Sequence, residues 1–344
     1  MKINMTIFLS ALIIAFFLGC DSILNSDSSE SGLIQLTFSD KDTDDAAFSS
    51  DGELIYYTIW QSEISDIRTV SIAGDSDEII LSDLYGGINS KPIISTDGNL
   101  MAFRLSVGMP DIHHLVLCNT DGLNLTNLAI CEISSINQFN NDGTKLLYGE
   151  MYAGIHIIDV PSSQDEILPI ALSGVYPVSF SKDESKILFS SFGSQGNSNT
   201  CEYDLSNHSY AQITSDTLGV QPICYSPDGT KILGQSRLLG SDDLQTDWEI
   251  FILGSDDSTL LRLTDNEIDD KPICFSPDGN HILYYTMVED EGWDIMIMDV
   301  DGANIRKVVD NSANDLPFGF SPDGTKILFK SNRDGNYNLY LKEF

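Results

Sequence analysis

The sequence predicts an all-β fold, a seven-bladed β-propeller of four-stranded antiparallel blades, because one short unit recurs seven times along the chain. A motif ending in Asp-Gly or a close variant returns at a mean spacing of about 45 residues. Each copy is followed by short segments in which apolar and polar residues alternate. Beyond residue 32, no stretch carries the 3.6-residue apolar period of a helix over a dozen positions. Four short strands per repeat of this length are typical of a propeller blade.

The recurring motif predicts a tight turn in every blade. Its copies are FSSDG (48–52), ISTDG (94–98), FNNDG (139–143), FSKDE (180–184), YSPDG (225–229), FSPDG (275–279) and FSPDG (320–324). We expect the Asp to hydrogen-bond the backbone of its own turn and the Gly to adopt a positive φ. Only the fourth copy replaces the Gly, with Glu184. A residue that occurs once in every blade is better explained by the fold than by catalysis.

The chain ends predict how the ring closes. A strand follows each motif, as in TKILFKS (325–331), and a third strand alternates, as in WDIMIM (293–298). The segment LIQLT (33–37) is a spare fourth strand before the first motif, whereas the last copy ends at Phe344 after its third strand. We therefore expect residues 33–37 to complete the last blade, so that the propeller comprises residues 33–344.

The first residues predict a targeting signal rather than part of the folded domain. Lys2 precedes an apolar run, Met5–Leu18, which is too short to cross a bilayer and fits a signal peptide over residues 1–19. Leu18-Gly19-Cys20 resembles a bacterial lipobox, which implies lipidation of Cys20; a plain signal peptide with an incidental cysteine is the alternative. Residues 20–32 then form a polar, Ser-rich tether. These features predict a lipid-anchored protein of the cell envelope, periplasmic or at the cell surface.

The charge of the chain limits its partners. The sequence has 18 Lys plus Arg against 52 Asp plus Glu, a formal net charge of −34. Sequence-independent binding to nucleic acid depends on basic residues, so it is excluded. Contact with an anionic membrane surface is disfavoured except through the lipid anchor. The acidity favours cations or a basic partner.

Three repeats carry a resemblance to a known family. The segments YSPDGTKIL (225–233), FSPDGNHILYYT (275–286) and FSPDGTKILFKSNRDGNYNLYL (320–341) resemble the repeats of TolB-like β-propellers. The resemblance extends over residues 33–344 and implies the propeller fold, an envelope location and a role as an assembly factor. TolB has six blades and an extra N-terminal α/β domain, whereas seven copies of the motif occur here. The repeat also occurs in proteins with unrelated tasks.

Acidic residues in the segments that lead into the first strand of a blade form the candidate site. In a propeller these segments surround one mouth of the central channel, and facing carboxylates repel one another unless a cation or a basic group lies between them. A Ca²⁺ or basic-peptide site is one interpretation, and solvated acidic loops are the other. The residues are Asp42, Asp44, Asp45, Glu267, Asp269, Asp270 and Asp315.

No catalytic motif accompanies these acids. The chain contains no HExxH, GxSxG or phosphate-binding glycine loop, and its five histidines occupy different repeat positions. The five cysteines after Cys20 include no CxxC, and Cys224 and Cys274 hold equivalent places where small buried residues are expected. Trp248, Trp293 and Tyr337 share one repeat position, which predicts blade packing or a surface stack, with a carbohydrate platform as the alternative.

We therefore predict a non-catalytic, membrane-tethered scaffold, monomeric, that binds a protein or glycan partner at a channel mouth or loop face. No cofactor is indicated except Ca²⁺ at the acids named above. The alternatives are a carbohydrate-active enzyme, a polysaccharide lyase or hydrolase, and a TolB-like envelope assembly factor.

Overall fold

The computed structural model describes residues 31–61, 64–85, 91–107, 112–193, 197–215, 219–237, 247–255, 259–288 and 292–344. The signal peptide (1–19), Cys20 and the tether up to residue 30 lie outside this part of the chain, and their assignment stays a prediction. Within it, all regular structure is β-strand, and no helix occurs that is long and apolar enough to cross a membrane.

The described strands form seven four-stranded antiparallel sheets, which confirms the predicted propeller. The innermost strands of blades 1 to 7 are β2 (Thr43–Phe48), β6 (Ile93–Ile94), β10 (Ile133–Phe139), β14 (Tyr176–Phe180), β18 (Gln221–Tyr225), β22 (Asp270–Phe275) and β26 (Asp315–Phe320). The second strands are β3 (Leu54–Gln61), β7 (Leu100–Val107), β11 (Lys145–Glu150), β15 (Lys186–Phe192), β19 (Lys231–Arg237), β23 (His281–Val288) and β27 (Lys326–Ser331).

The third strands are β4 (Ile64–Ser71), β8 (Ile112–Asn119), β12 (Gly154–Asp159), β16 (Ser198–Asp204), β20 (Trp248–Gly254), β24 (Gly292–Asp299) and β28 (Asn338–Glu343). The outermost strands of blades 1 to 6 are β5 (Asp77–Tyr85), β9 (Thr126–Ile130), β13 (Gln164–Ile167), β17 (Ser209–Gln212), β21 (Leu260–Arg262) and β25 (Arg306–Lys307). The outermost strand of blade 7 is β1 (Leu33–Gln35), from the other end of the chain.

The innermost strands tolerate prolines because each is the edge of its sheet. Pro177, Pro222, Pro272 and Pro317 all lie on such strands. A proline has no N–H to donate, and at a sheet edge one side of the strand needs no donor. Next to each of these prolines the pairing with the second strand is interrupted by a register shift. A bulge of this kind bends the strand locally and changes the direction of the neighbouring side chains.

The ring closes through the two chain ends, as the sequence predicts. Ile34 pairs with Leu341 in the antiparallel ladder of β1 and β28. Next to that ladder the Thr37 hydroxyl donates to Asn338 Oδ1 (3.0 Å) and accepts from the Leu339 N–H (2.9 Å). Both chain ends thus contribute to one sheet.

The apolar core lies between blades rather than within them. Among the described residues, the buried apolar side chains fall into seven clusters, and each cluster joins two neighbouring blades. The cluster between blades 7 and 1 includes Leu36, which is 2% exposed, together with Leu339 and Ile55. Closure therefore buries the seventh interface, which would otherwise expose an apolar blade surface at each end of the array.

The two faces of the propeller carry different turns and strand ends. The seven Asp-Gly-type turns lie between the first and second strands, on what we call the turn face. The opposite side, the mouth face, carries the starts of the innermost strands and the hairpins between second and third strands.

Each turn is held by its own aspartate, as predicted. In blade 5 the Ser226 hydroxyl donates to Asp228 Oδ1 (2.6 Å), and the Thr230 N–H donates to the same oxygen (3.0 Å). These hydrogen bonds hold the pKa of Asp228 down at about 2, with the bond from Ser226 as the largest cause. In six blades a serine plays this part, and the glycine of the motif has a positive φ in the six blades that have one.

Blades 3 and 4 depart from the pattern together. Blade 3 has Asn140 in place of the serine, and its Oδ1 accepts from the Lys145 N–H (2.7 Å). Blade 4 has Glu184 in place of the glycine, at a φ of +58°. The Glu184 carboxylate accepts from the Asn141 N–H (2.5 Å) and from Asn140 Nδ2 (3.2 Å). The residue that breaks the motif in blade 4 therefore links that turn to blade 3.

Candidate functional site

The structure places all seven predicted acids on the mouth face. Asp44, Asp45, Asp270 and Asp315 lie at the starts of innermost strands, and Asp42, Glu267 and Asp269 lie in the segments that precede them. They do not converge on one point. In the part of the chain that the structure describes, no group of three or more His, Cys, Asp or Glu side chains is placed to hold a metal ion. The Ca²⁺ site stays a prediction.

Two of the acids link consecutive blades. Asp42 Oδ1 accepts from the Tyr337 N–H (2.8 Å), and Asp269 Oδ1 accepts from the Trp248 N–H (3.0 Å). Asn314 does the same in blade 7, where it accepts from the Trp293 N–H (3.1 Å). Each acceptor lies just before an innermost strand, and each donor lies at or next to the first residue of the third strand of the preceding blade. An uncharged Asn serves equally well in this position, so the charge is not what the contact requires.

Two others are buried and satisfied within their own linkers. Asp270 and Asp315 are 2% and 0% exposed, and each accepts a hydrogen bond of 2.7 Å from the asparagine four residues earlier, Asn266 or Asn311. Asp315 also pairs with Arg333 (3.3 Å). Burial raises the pKa of Asp270. These contacts fix the linkers before blades 6 and 7, and neither carboxylate is open to a ligand.

Asp44 and Asp45 lie close to basic side chains of the two adjacent blades at the channel mouth. Lys330 of blade 7 donates to Asp44 Oδ1. Asp45 occupies the bulge of β2, and burial raises its pKa while Lys330, Lys91 and Arg104 oppose that shift. This part of the mouth brings together three of the 18 basic residues of a strongly acidic chain. The acids stand out in the sequence, whereas these cations do not, because they come from blades 7 and 2 and only the ring brings them together.

Two cysteines and a glutamine hold equivalent places in the channel wall. Gln138 Oε1 accepts from the Phe180 N–H of the next blade (3.2 Å). The backbone of the next blade likewise lies against Cys224 and Cys274. Burial raises the pKa of the Cys224 thiol to about 12 and that of Cys274 to about 11, which makes both unreactive as nucleophiles. All five described cysteines are free.

An arc of aromatic side chains covered by cations crosses the mouth face of blades 5 to 7. Arg237 lies over the Trp248 ring (4.7 Å), and Lys271 lies over the Trp293 ring (4.7 Å). Lys330 lies 5.2 Å from the centre of the Tyr337 ring. The three rings hold the shared repeat position at the third strand, and all three are half-buried. We call these six residues the aromatic–cation arc.

The buried histidine belongs to a network within blade 3. His156 is 2% exposed, stacks on Tyr148, and its Nδ1 lies 2.8 Å from Asp165 Oδ2. Its Nε2 lies 3.2 Å from Glu150 Oε2, outside hydrogen-bond geometry. In blade 1, Arg68 occupies the corresponding place, between Tyr57 and Asp77. Because blade 1 has an arginine in the same arrangement, the histidine itself is not required there, which indicates a packing role for His156.

The comparisons with known proteins agree with the fold. No family model matches the chain. It is 25% identical over 192 residues to the Tol-Pal system protein TolB of Francisella tularensis, a match that covers 54% of this chain and 43% of that one, so it spans less than half of that relative.

Two solved structures share the architecture. Oligogalacturonate lyase of Vibrio parahaemolyticus superposes with a TM-score of 0.72 at 14% identity, covering 92% of this chain and 94% of its own. TolB of Acinetobacter baumannii superposes with a TM-score of 0.52 at 17% identity, covering 84% of this chain and 79% of its own. The chain carries a seven-bladed ring, and by sequence and by fold it is a β-propeller similar to those of TolB proteins.

Proposed function

We propose that the protein is a membrane-tethered scaffold of the cell envelope that binds a protein partner through the aromatic–cation arc on its mouth face. The single observation that carries this proposal is the repetition of a half-buried aromatic ring and a covering cation in blades 5, 6 and 7. Trp, Tyr and Arg dominate the energetics of protein interfaces because they bury a large area and still offer polar contacts.

The chemistry of the arc favours a protein over a bare glycan. A sugar stacks on an uncovered ring face, whereas Arg237 and Lys271 already lie over the two tryptophans. A cation above a ring offers a charged donor next to an apolar edge, which suits a carboxylate beside an apolar side chain. The likeness to TolB, a protein of the Tol-Pal system, supports an envelope location and a protein partner.

The arc is tested with envelope membranes and purified protein. We expect cross-linking to recover a defined partner with the wild type and to lose it with the double variant Trp293→Ala, Lys271→Ala. The matched control is Lys182→Ala, an exposed lysine on the turn face, which keeps the partner. Equal recovery with all three proteins would place the binding surface elsewhere, and no recovery with the wild type would contradict the proposal.

The anchor is tested separately. We propose that Cys20 is lipidated, on the strength of the Leu18-Gly19-Cys20 sequence. Metabolic labelling with a fatty acid should label the wild type and not Cys20→Ser, and the variant should leave the membrane fraction. Labelling of Cys20→Ser would contradict lipidation at this residue.

A carbohydrate-active enzyme is the second candidate, favoured by the close superposition on oligogalacturonate lyase. Incubation with oligogalacturonate, with and without added Mn²⁺ or Ca²⁺, followed by the absorbance of an unsaturated product, decides it. We expect no turnover. Product formation would replace the scaffold proposal, and calorimetric titration with Ca²⁺ alone would show whether the mouth acids bind that ion.

A further inference from the structure

A small cavity opens on the channel between blades 7, 1 and 2. Its volume is about 240 Å³, and its walls come mostly from the innermost strands of those three blades. Apart from Lys91, its lining is apolar or backbone: Ala46, Ala47, Phe48, Pro92, Ile93, Ile94, Phe318, Gly319, Phe320 and Leu328. The small residues Ala47 and Gly319 hold the place that Cys224 and Cys274 hold in blades 5 and 6, and this leaves the space.

Among the described residues that line this cavity, Lys91 is the single charged one. Among the described residues its ammonium has no hydrogen bond and no ion pair within 4 Å, whereas Lys330 is engaged by Asp44. Arg104 Nη1 donates to the Ile133 carbonyl (2.9 Å). Asp45 is close enough to both Lys91 and Arg104 to influence them, but it forms an ion pair with neither.

The local charge is positive although the whole chain carries −34. Lys91, Arg104 and Lys330 face Asp44 and Asp45, so the cations exceed the carboxylates by one. Burial lowers the pKa of Lys91, and among the described residues no carboxylate lies within ion-pair distance of its ammonium. An anion placed beside Lys91 would supply the missing partner.

We propose that this cavity is a binding site for a small organic carboxylate with an apolar body, whose carboxylate pairs with Lys91. The apolar walls exclude strongly hydrated anions such as sulfate, which would lose water without finding donors there. The volume lies below the roughly 300–1,000 Å³ of sites for drug-sized ligands, so the ligand is of the size of a benzoate or a short fatty acid. Among the described residues, the cavity lining shares none with the aromatic–cation arc, whose Lys330 contributes only to the local charge, and the site does not depend on the scaffold proposal.

Calorimetric titration of the purified protein with benzoate tests the site directly. We expect saturable binding of benzoate and of butyrate, and none of benzyl alcohol, which lacks the charge, or of sulfate, which lacks the apolar body. Lys91→Met should weaken benzoate binding by about tenfold or more, which is 1.4 kcal/mol or more. The matched control, Lys182→Met on the turn face, should leave it unchanged.

Two further measurements separate a ligand site from a structural lysine. Because Lys91 is partly desolvated and unpaired, Lys91→Met should melt at the same temperature as the wild type or higher, whereas a structural lysine would lower it. Ala47→Leu keeps the charge, fills the cavity and should also abolish benzoate binding. The proposal is overturned if benzoate fails to bind the wild type, or if it binds Lys91→Met or Ala47→Leu as tightly.

Discussion

The turn face and the channel wall are built from the same seven repeats, yet they differ in how far the repeats agree. On the turn face, six blades use a Ser–Asp hydrogen bond of 2.5–2.7 Å in the same place. In the channel wall, the position before the last residue of the innermost strand differs in almost every blade: Ala47, Ile93, Gln138, Ser179, Cys224, Cys274 and Gly319.

The turn residues determine how each blade folds, whereas the channel wall and the mouth determine which side chains the blade offers to a partner. A turn must satisfy the same backbone groups in each blade, so one chemical solution is repeated. The channel wall and the mouth need only close packing and blade-to-blade hydrogen bonds, which Asp, Asn, Gln or a thiol can provide. Residues there are therefore free to serve binding: the aromatic–cation arc lies at the mouth, and the proposed cavity lies in the channel wall.

Removing the strand that closes the ring tests whether both faces depend on the pairing of the chain ends. We expect this change to have the largest effect on stability. Deletion of residues 33–37 removes β1 and the buried Leu36, and opens the interface of blades 7 and 1. It should cost more than the about 2–5 kcal/mol of one buried Leu→Ala substitution. Deletion of residues 21–30 is the control and should leave melting unchanged. Circular dichroism measures the melting temperature of both truncated proteins, and equal values would contradict closure of the ring by residues 33–37.

The mouth face should be most sensitive where an acid is buried. Arg333→Met leaves Asp315, which is 0% exposed, without its cation and should destabilise the protein by about 3 kcal/mol. Arg306→Met, at an exposed arginine, is the control and should change the free energy of unfolding by less than about 0.5 kcal/mol. Urea denaturation measures the free energy of unfolding of both variants. Equal changes would show that the buried Arg333–Asp315 pair contributes no more to stability than an exposed arginine.

Acid should act mainly on the turn face. All seven turn aspartates have a lowered pKa, about 2 in four blades, so their stabilisation is present above their ordinary pKa of 3.8 and is lost as pH falls toward 2. Asp45 and Asp270 have raised pKa values and act in the opposite sense, but they are only two.

The melting temperature should therefore fall between about pH 4 and pH 2. Ser226→Ala, which removes the largest cause of the lowered pKa of Asp228, should reduce the fall slightly. A melting temperature that stays constant over this range would show that the turn carboxylates do not contribute.

The smallest effect is expected where the turn face departs from its own pattern. Glu184→Gly relieves the positive φ but loses the bonds to Asn140 and Asn141, whereas Glu184→Ala loses the bonds and keeps the strain. The glycine variant should be more stable than the alanine variant by about 1 kcal/mol. Glu184→Gln, which keeps an acceptor, is the control, and equal stability of the Gly and Ala variants would show that φ is not strained.

The fold was predictable because its determinants are local and repeated. The spacing of the turns, the alternation of the strands and the spare segment at 33–37 each report on a few neighbouring residues, and the structure confirms the propeller and its closure. The candidate site was predictable only in part. The acids were located on the correct side of the blades, but their partners, such as Lys330 for Asp44, lie 286 residues away in sequence.

By itself, the sequence determined the number of blades, the turn chemistry and the place where the ends meet, because these depend on short-range backbone geometry repeated seven times. Only the tertiary structure decided which acids are buried, which are neutralised and where an unpaired lysine faces an apolar cavity. Those properties depend on side chains from different blades meeting at the channel, and no spacing along the chain encodes the distances between them.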